Sequence, residues 1–304
     1  MKIIQLYPRG FCKGVSKAIN LAKSTRLMNP NTTITILGEL VHSTYVLEAL
    51  KKYNIETLQT RGLSRSELLD SVQQGIVIFS AHGVSNQVKE KALQKGLQVI
   101  DASCEDVLSN QNLIKSFLSN DYTILYIGQE NHPEVEAIMD IDPRRTHLIT
   151  SVSMIDQIEI VNPKIFVTNQ TTMSILDILK MITYIQKRFP TAVISDEICS
   201  ATRQRQEAVL NAEQTDGIII LGDQKSNNTQ MLSKIAKNKH YQKVITIQRV
   251  DELNSNDLDN LTSISVTAGA STPINIINEV NTFLNAYNQD KSVNPKDFLT
   301  AILI

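Results

Sequence analysis

Residues 99–118, VIDASCEDVLSNQNLIKSFL, decide the fold. A strand-like run, VID, meets a helical-period run that begins at Glu105, and Cys104 sits at the junction. The same join occurs twice more. KIIQLYPRGFC (2–12) leads into GVSKAINLAK (14–23), and AVISDEIC (192–199) leads into SATRQRQEAVLNAE (200–213). These junctions hold the chain's 3 cysteines, Cys12, Cys104 and Cys199, separated by 92 residues (12 to 104) and 95 residues (104 to 199). The near-even spacing predicts three similar units, each delivering one sulfur to a shared centre. At a strand-to-helix junction the backbone N–H groups and the helix dipole favour thiolate. An isolated cysteine is ordinarily a small buried hydrophobe, so spacing alone leaves core packing and metal or cluster ligation both open. The odd count and the absence of a secretory signal argue against a disulfide framework and for a reducing cytoplasm. Without a short Cys-x-x-Cys pair, a structural zinc site is not expected.

Outward from these junctions the chain keeps alternating. TITILGEL (33–40) precedes VLEALKKY (46–53), IVIFSAHG (76–83) precedes QVKEKALQK (87–95), and YTILYIGQ (122–129) precedes PEVEAIM (133–139). KIFVTNQT (164–171), GIIILGDQ (217–224) and SISVTAGAS (263–271) are likewise each followed by a helical-period run. Strands rich in Ile, Val and Thr that alternate with helices predict an α/β fold with mostly parallel sheets. Three units are expected, at 13–103, 104–196 and 197–285, with strand 1–12 joining the third and a tail at 286–304. The tail's DKSVNPKD stretch reads as flexible, and the sequence assigns no packing partner to its apolar end, DFLTAILI.

With 304 residues, 42% of them apolar, the chain can bury sizeable cores. Its net charge of −1 gives no general drive toward nucleic acid or an anionic membrane. No apolar run approaches the ~18 residues of a spanning helix, so neither a nucleic-acid nor a membrane partner is expected.

Polar clusters sit where the strands end, which is where open parallel sheets bind ligands. They are GELVHS with His42, SAHGVS with His82, GQENHPEVE with His132 and Glu134, TNQTTMS with Thr171 and Thr172, GDQKSNN with Ser226 and Asn228, and TAGASTP with Ser271. One strand-end histidine is ordinarily structural. Three in equivalent positions, beside three equivalent cysteines, point to a shared site. Neither a Gly-x-x-x-x-Gly-Lys loop nor a Gly-x-Gly-x-x-Gly fingerprint is present, which speaks against nucleotide phosphates. Read alone, Glu134 is a first-turn helix acid after Pro133, and Ser226 is a helix N-cap.

Taken in order, PRGFCKGV, GELVHS, FSAHGVS, DASC, NHPEVEAI, NQTTMS, DEICSATRQRQEAV, KSNNTQML and TAGASTP resemble the motifs of the 4-hydroxy-3-methylbut-2-enyl diphosphate reductase (LytB/IspH) family. The resemblance implies a trefoil of three α/β units around a central iron-sulfur cluster. It implies one 4Fe-4S cluster held by Cys12, Cys104 and Cys199, with an open apical iron where a fourth thiolate would normally bind. It further implies reductive dehydroxylation of (E)-4-hydroxy-3-methylbut-2-enyl diphosphate to isopentenyl and dimethylallyl diphosphate, the last step of the methylerythritol phosphate isoprenoid pathway. Glu134 is then expected to deliver a proton, with Thr171 relaying it and His132 beside them. His42, His82, His132, Thr171, Ser226, Asn227, Asn228 and Ser271 are expected to bind the allylic diphosphate, and ferredoxin or flavodoxin to supply electrons.

Four features depart from the usual family pattern. Glu105 and Asp106 follow Cys104, Ser43 follows His42, Asn227 stands in the Ser-Asn-Asn run, and Arg203 and Gln204 follow Ala-Thr. Two acids beside a cluster ligand should lower its reduction potential unless they face solvent. The competing reading is a paralogue that keeps the cluster but senses redox state or binds a ligand without turnover. A cluster-dependent hydratase of the aconitase type is a further enzymatic alternative, one that needs no external electrons.

Overall fold

The computed structural model describes residues 1–59, 62–302 and 304. Among them the strands form three four-stranded sheets in which every pairing is parallel. The chain begins with β1 (Lys2–Gln5) and α1 (Lys13–Met28). One sheet takes β2 (Ile34–Leu37), β3 (Glu56–Leu58), β4 (Ile76–Phe79) and β5 (Gln98–Asp101). Between them run α2 (Thr44–Lys52), α3 (Arg65–Asp70) and α4 (Asn86–Gln94). After α5 (Glu105–Ser119), the next sheet takes β6 (Thr123–Ile127), β7 (Thr146–Ile149), β8 (Ile165–Asn169) and β9 (Val193–Ile194). Its connecting helices are α6 (Pro133–Met139), α7 (Val152–Gln157) and α8 (Ile175–Arg188). The last stretch supplies α9 (Ser200–Asn211), β10 (Gly217–Leu221), α10 (Asn227–Asn238), β11 (Lys243–Ile247), β12 (Ser263–Ala268) and α11 (Ile274–Gln289).

The three sheets share one strand order: β3-β2-β4-β5, β7-β6-β8-β9 and β11-β10-β12-β1. In the third, the outer place beside β12 is filled by β1, with Lys2 opposite Ser263 and Gln5 opposite Val266. The strands β2, β4, β6, β8 and β10 are buried throughout. That is the pattern of parallel strands covered on both faces, and it explains why they read as continuous apolar runs.

By its contacts the chain forms two compact units: residues 1–16, 42–49 and 200–304, and residues 17–41 and 50–199. The first is built on the β11-β10-β12-β1 sheet. One side of its core gathers Ile219, Leu221, Val266, Val280, Phe283 and Leu284. Burying each such side chain contributes about 1.5–3 kcal/mol. Tyr45 of α2 joins this core. The second unit carries the other two sheets, with separate cores around Phe79, around Val167 and around Tyr126 with Phe166.

The tail's apolar end, to which the sequence assigned no partner, packs on the first unit's core. Phe298, Ile302 and Ile304 pack on that core, and Phe298 meets Phe283 edge-on at 5.6 Å. Thr300 donates to the buried Glu279 from both N (2.9 Å) and Oγ1 (2.6 Å), and Arg249 Nη2 donates to the same carboxylate at 2.6 Å. Leu303 lies outside the described residues. Within DKSVNPKD, Asp290 and Asn294 accept local hydrogen bonds from Ser292 and Lys296. Short polar residues folding back on their own backbone hold such a turn in place.

Candidate active site

The shared strand order repeats a set of strand-end positions. The second residue after β4, β8 and β12 is Ala81, Thr171 and Ala270. Their carbonyls accept the backbone N–H of Cys104 (2.9 Å), Cys199 (3.0 Å) and Cys12 (3.0 Å), respectively. Each cysteine directly precedes a helix: α5, α9 and α1. All three are half-buried and none is in a disulfide. Cys12 Sγ also accepts the Val15 amide at 3.4 Å. Each thiol, partly shielded, at a helix start and pinned through its amide in the same way, has the surroundings of an iron-sulfur ligand.

The fifth residue after β2, β6 and β10 is His42, His132 and Ser226, and the seventh is Thr44, Glu134 and Asn228. The third residue after β4, β8 and β12 is His82, Thr172 and Ser271. The expectation of three equivalent histidines therefore needs correction. His42 and His132 correspond, whereas His82 follows a different strand and corresponds to Thr172 and Ser271. The sequence showed strand ends but not which strand in its sheet each one closed.

In the second unit, Glu134 is the centre of the arrangement. Asn131, in the left-handed region at φ 60°, turns the chain so that His132 caps α6 and Pro133 opens it. Glu134 is 1% exposed. Its Oε1 accepts from Thr171 N at 2.9 Å and from the Tyr126 hydroxyl at 3.1 Å, while Oε2 accepts from Thr171 Oγ1 at 2.9 Å. Burial pushes its pKa up to about 7, opposed by the bonds from Thr171 and Tyr126 and aided by the charge of Asp106. A carboxyl titrating there can hold a proton and release it near neutral pH. Glu134 is thus a buried acid with specific partners, not a solvated first-turn acid.

His132 Nδ1 accepts the Glu134 amide at 3.2 Å, so the neutral ring carries its hydrogen on Nε2 and is a donor there. The His82 ring meets the His132 ring edge-on at 5.3 Å. Asn110 of α5 donates to Asn169 O (2.9 Å) and accepts from Thr168 Oγ1 (3.1 Å), tying the Cys104 helix to the strand that leads to Thr171.

The first unit has a neutral set of its own. Ser226 occupies the N-cap position of α10, but its hydroxyl makes no capping hydrogen bond, so the N-cap reading of that side chain does not hold. Ser226, Asn227 and Asn228 are buried, and Asn228 Nδ2 donates to Thr202 Oγ1 at 3.0 Å. Gly222 and Gly269 let Thr229 come close: a Cβ on either would stand 2.4 Å from Thr229 Oγ1. Ser271 Oγ donates to His42 O at 3.0 Å, which fixes that backbone. Thr44 donates to Asp223 Oδ2 from N (2.9 Å) and Oγ1 (2.6 Å) at the start of α2. Burial works against the Asp223 charge, yet the Thr44 and Lys225 contacts keep its pKa below the usual value. Arg205 Nη2 donates to Gly10 O at 2.8 Å and so braces the loop that carries Cys12.

Three of the departing residues have local accounts. Ser43 Oγ accepts the Val46 amide at 3.4 Å, capping α2. Glu105 and Asp106 lie exposed in the first turn of α5, where the helix dipole favours them. Glu105 pairs with Lys17 at 3.3 Å, and Asp106 Oδ2 lies 3.8 Å from Cys104 Sγ. Tyr126, Asp223 and Arg205 were not foreseen. Tyr126 carried a signal, because a phenol inside the apolar run at 124–127 must find a hydrogen-bond partner when buried.

The family model described as LytB protein matches residues 3–285. This chain belongs to the LytB family. It is 43% identical over 291 residues to the 4-hydroxy-3-methylbut-2-enyl diphosphate reductase of Listeria monocytogenes, covering 95% of this chain and 87% of that one. To the reductase of the same name from Bacillus cereus it is 43% identical over 290 residues, covering 95% and 91%. The solved structure of the Plasmodium falciparum E-1-hydroxy-2-methyl-but-2-enyl-4-diphosphate reductase superposes with a TM-score of 0.85 at 27% identity, covering 98% of this chain and 96% of that one. A solved (E)-4-hydroxy-3-methyl-but-2-enyl diphosphate reductase, titled as the terminal enzyme of the non-mevalonate pathway, gives 0.67 at 26% identity, covering 94% and 100%. Members of the LytB family carry an iron-sulfur cofactor, which the thiol set described above fits. Among the described residues no helix is long and apolar enough to cross a membrane.

Proposed function

We propose that this chain is an iron-sulfur reductase that converts (E)-4-hydroxy-3-methylbut-2-enyl diphosphate to isopentenyl and dimethylallyl diphosphate. The observation that carries the reading is Glu134: a buried acid with a pKa near 7, bonded to Thr171, whose carbonyl in turn holds the Cys199 amide. The reaction breaks one C–O bond, takes up two electrons and two protons, and releases water. Its proton donor must therefore sit beside the redox centre and stay protonated at neutral pH.

Cys12, Cys104 and Cys199 would hold one 4Fe-4S cluster, whose fourth iron lacks a protein ligand. When bound, that group supplies electrons and a Lewis-acidic iron for the hydroxyl oxygen. Glu134 holds the proton, and Thr171 Oγ1 stands next to it to pass it on. His42, His82, His132, Ser226, Asn227, Asn228 and Ser271 would bind the diphosphate with imidazole, hydroxyl and amide donors. Turning the Asn228 amide over would let its oxygen accept from Thr202 and present its NH2 group to an anion. Ferredoxin or flavodoxin would deliver the electrons, and the protein would work in the cytoplasm. The three sheets with their helices, at 13–103, 104–196 and 197–285 with strand 1–12, would act as one ligand-bearing domain each, with 286–304 as the tail.

The test is an anaerobic assay of the reconstituted protein with this substrate and a strong one-electron reductant. Substrate consumption with both products is expected. An intact cluster that yields no product would favour the redox-sensing paralogue instead.

A further inference from the structure

Tyr126 is fully buried in β6, between Leu125 and Ile127, with its hydroxyl 3.1 Å from Glu134 Oε1. Oε1 also takes the Thr171 main-chain N–H, at 2.9 Å. A carboxyl oxygen offers two in-plane lone pairs, and here two donors fill both. The amide N–H cannot reverse its role, and the buried Tyr126 hydroxyl, which has no second partner among the described residues, would leave its own hydrogen unpaired if it accepted instead. Oε2, in contrast, faces Thr171 Oγ1 at 2.9 Å, and a hydroxyl can either donate or accept.

We propose that Tyr126 is a positioning residue for the reaction: together with the Thr171 amide it closes Oε1 to protonation, so the transferable proton sits on Oε2 and points at Thr171 Oγ1. This rests on the reading of Glu134 as the proton donor. On transfer the Oε2–H bond breaks, Thr171 Oγ1 gains that proton, and its own hydroxyl proton passes to the substrate oxygen. Glu134 is left as a carboxylate whose Oε2 accepts from Thr171, and water reloads it before the next turnover. The groups on the carboxyl are Tyr126 from β6 and Thr171 from the loop after β8, while His132, from the start of α6, meets the Glu134 main chain. His132 is spoken for at Nδ1 by the Glu134 amide and is flanked by His82. Asp106 on α5 acts from farther away through its charge.

Tyr126→Phe removes the hydroxyl and keeps the ring, so the fold and the β6 core are retained. In the reconstituted protein its iron-sulfur absorbance and KM are expected to match the wild type. The alkaline limb of its kcat–pH profile should move up by about one unit, because the ionised carboxylate has lost a donor. Below that limb kcat should fall by roughly twofold or more, since the proton is now shared between two oxygens.

A second measurement needs no turnover: pH titration of the carboxylic-acid C=O infrared band, assigned by its disappearance in Glu134→Gln. Its midpoint should rise by about one unit in Tyr126→Phe. Titrations that superimpose for wild type and Tyr126→Phe would overturn the proposal. Should the infrared midpoint rise in a protein that forms no product, the Tyr126 assignment holds and the reductase reading falls. Should product form while the midpoint stays fixed, the reverse is true.

Discussion

The loops after β6 and β10 are the same device carrying different cargo. Each starts on a glycine, Gly128 or Gly222, places its fifth residue at a helix cap, His132 or Ser226, and presents its seventh from the new helix. After β6 the seventh residue is Glu134, buried and held by three donors, with a pKa near 7. After β10 it is Asn228, equally sheltered but neutral, with its amide on Thr202. One loop stores a proton and the other can only share hydrogen bonds. A single side-chain choice on a repeated frame thus separates the proposed proton donor from the proposed anion ligand.

The comparison breaks most completely if the sulfurs matter less than the loops. Cys199→Ser, which removes one of the three proposed ligands, is expected to abolish both cluster retention and turnover. Iron and sulfide analysis after anaerobic reconstitution checks it, and a full, active cluster in that variant would undo the ligand assignment. Next in size, Glu134→Gln should lower kcat by about 10²–10⁴-fold with absorbance and KM held. Adding Asn228→Asp to it should restore nothing, because the second loop lacks the Thr171 and Tyr126 partners. Rescue by the double variant would show that the two loops are interchangeable.

A third prediction concerns stability. The Glu134 carboxyl, ordinarily near 4.5, is pushed up to about 7 in the folded chain. The folded state therefore binds that proton more tightly than the unfolded state does. Its contribution is complete below pH 4.5 and is lost as pH rises to 7, by about 3 kcal/mol at most. Glutamine copies the protonated acid, with its NH2 facing Thr171 Oγ1. Glu134→Gln should thus match the wild type at pH 4 and exceed it at pH 8. Urea unfolding at both values measures this, and equal stability at pH 8 would contradict it. The smallest effect belongs to the neutral loop: Asn228→Ala should raise KM roughly tenfold with kcat retained, the loss expected for one hydrogen bond to an anion. A kcat loss without a KM change would move Asn228 to the reacting end.

The central strands were readable because burial on both faces writes them as continuous apolar runs, as in IVIF at 76–79 and GIIIL at 217–221. The outer strands β3, β7 and β11 escaped the reading. They are short or half-exposed, so neither alternation nor a long apolar run marks them. The short helices α3 and α7, six residues each, are below the length at which helical period is distinct. In the site, the motifs named Glu134 and Thr171, but their bond depends on how β6 lies beside β8, which periodicity does not encode. Tyr126 signalled that it needed a partner but not which one, since Glu134 lies eight positions away across a turn. The three sheets match the three units that the cysteine spacing suggested, while by contacts the chain groups into two compact units, with residues 42–49 siding with the β11-β10-β12-β1 sheet rather than with the strand that precedes them.

The pairing of β1 with β12 has a consequence for how the protein is made. Lys2 must find Ser263, so the strand that leads to the first cysteine leaves the ribosome long before its neighbour exists. Until then Cys12 lacks the Ala270 carbonyl that pins its amide. Closing so long a loop is entropically slow, and an unpaired strand edge invites association with other chains. Under the proposed ligation by Cys12, loading of the cluster is a late event in biogenesis, gated by the synthesis of β12, and a nascent chain stalled before residue 263 should bind no stable cluster.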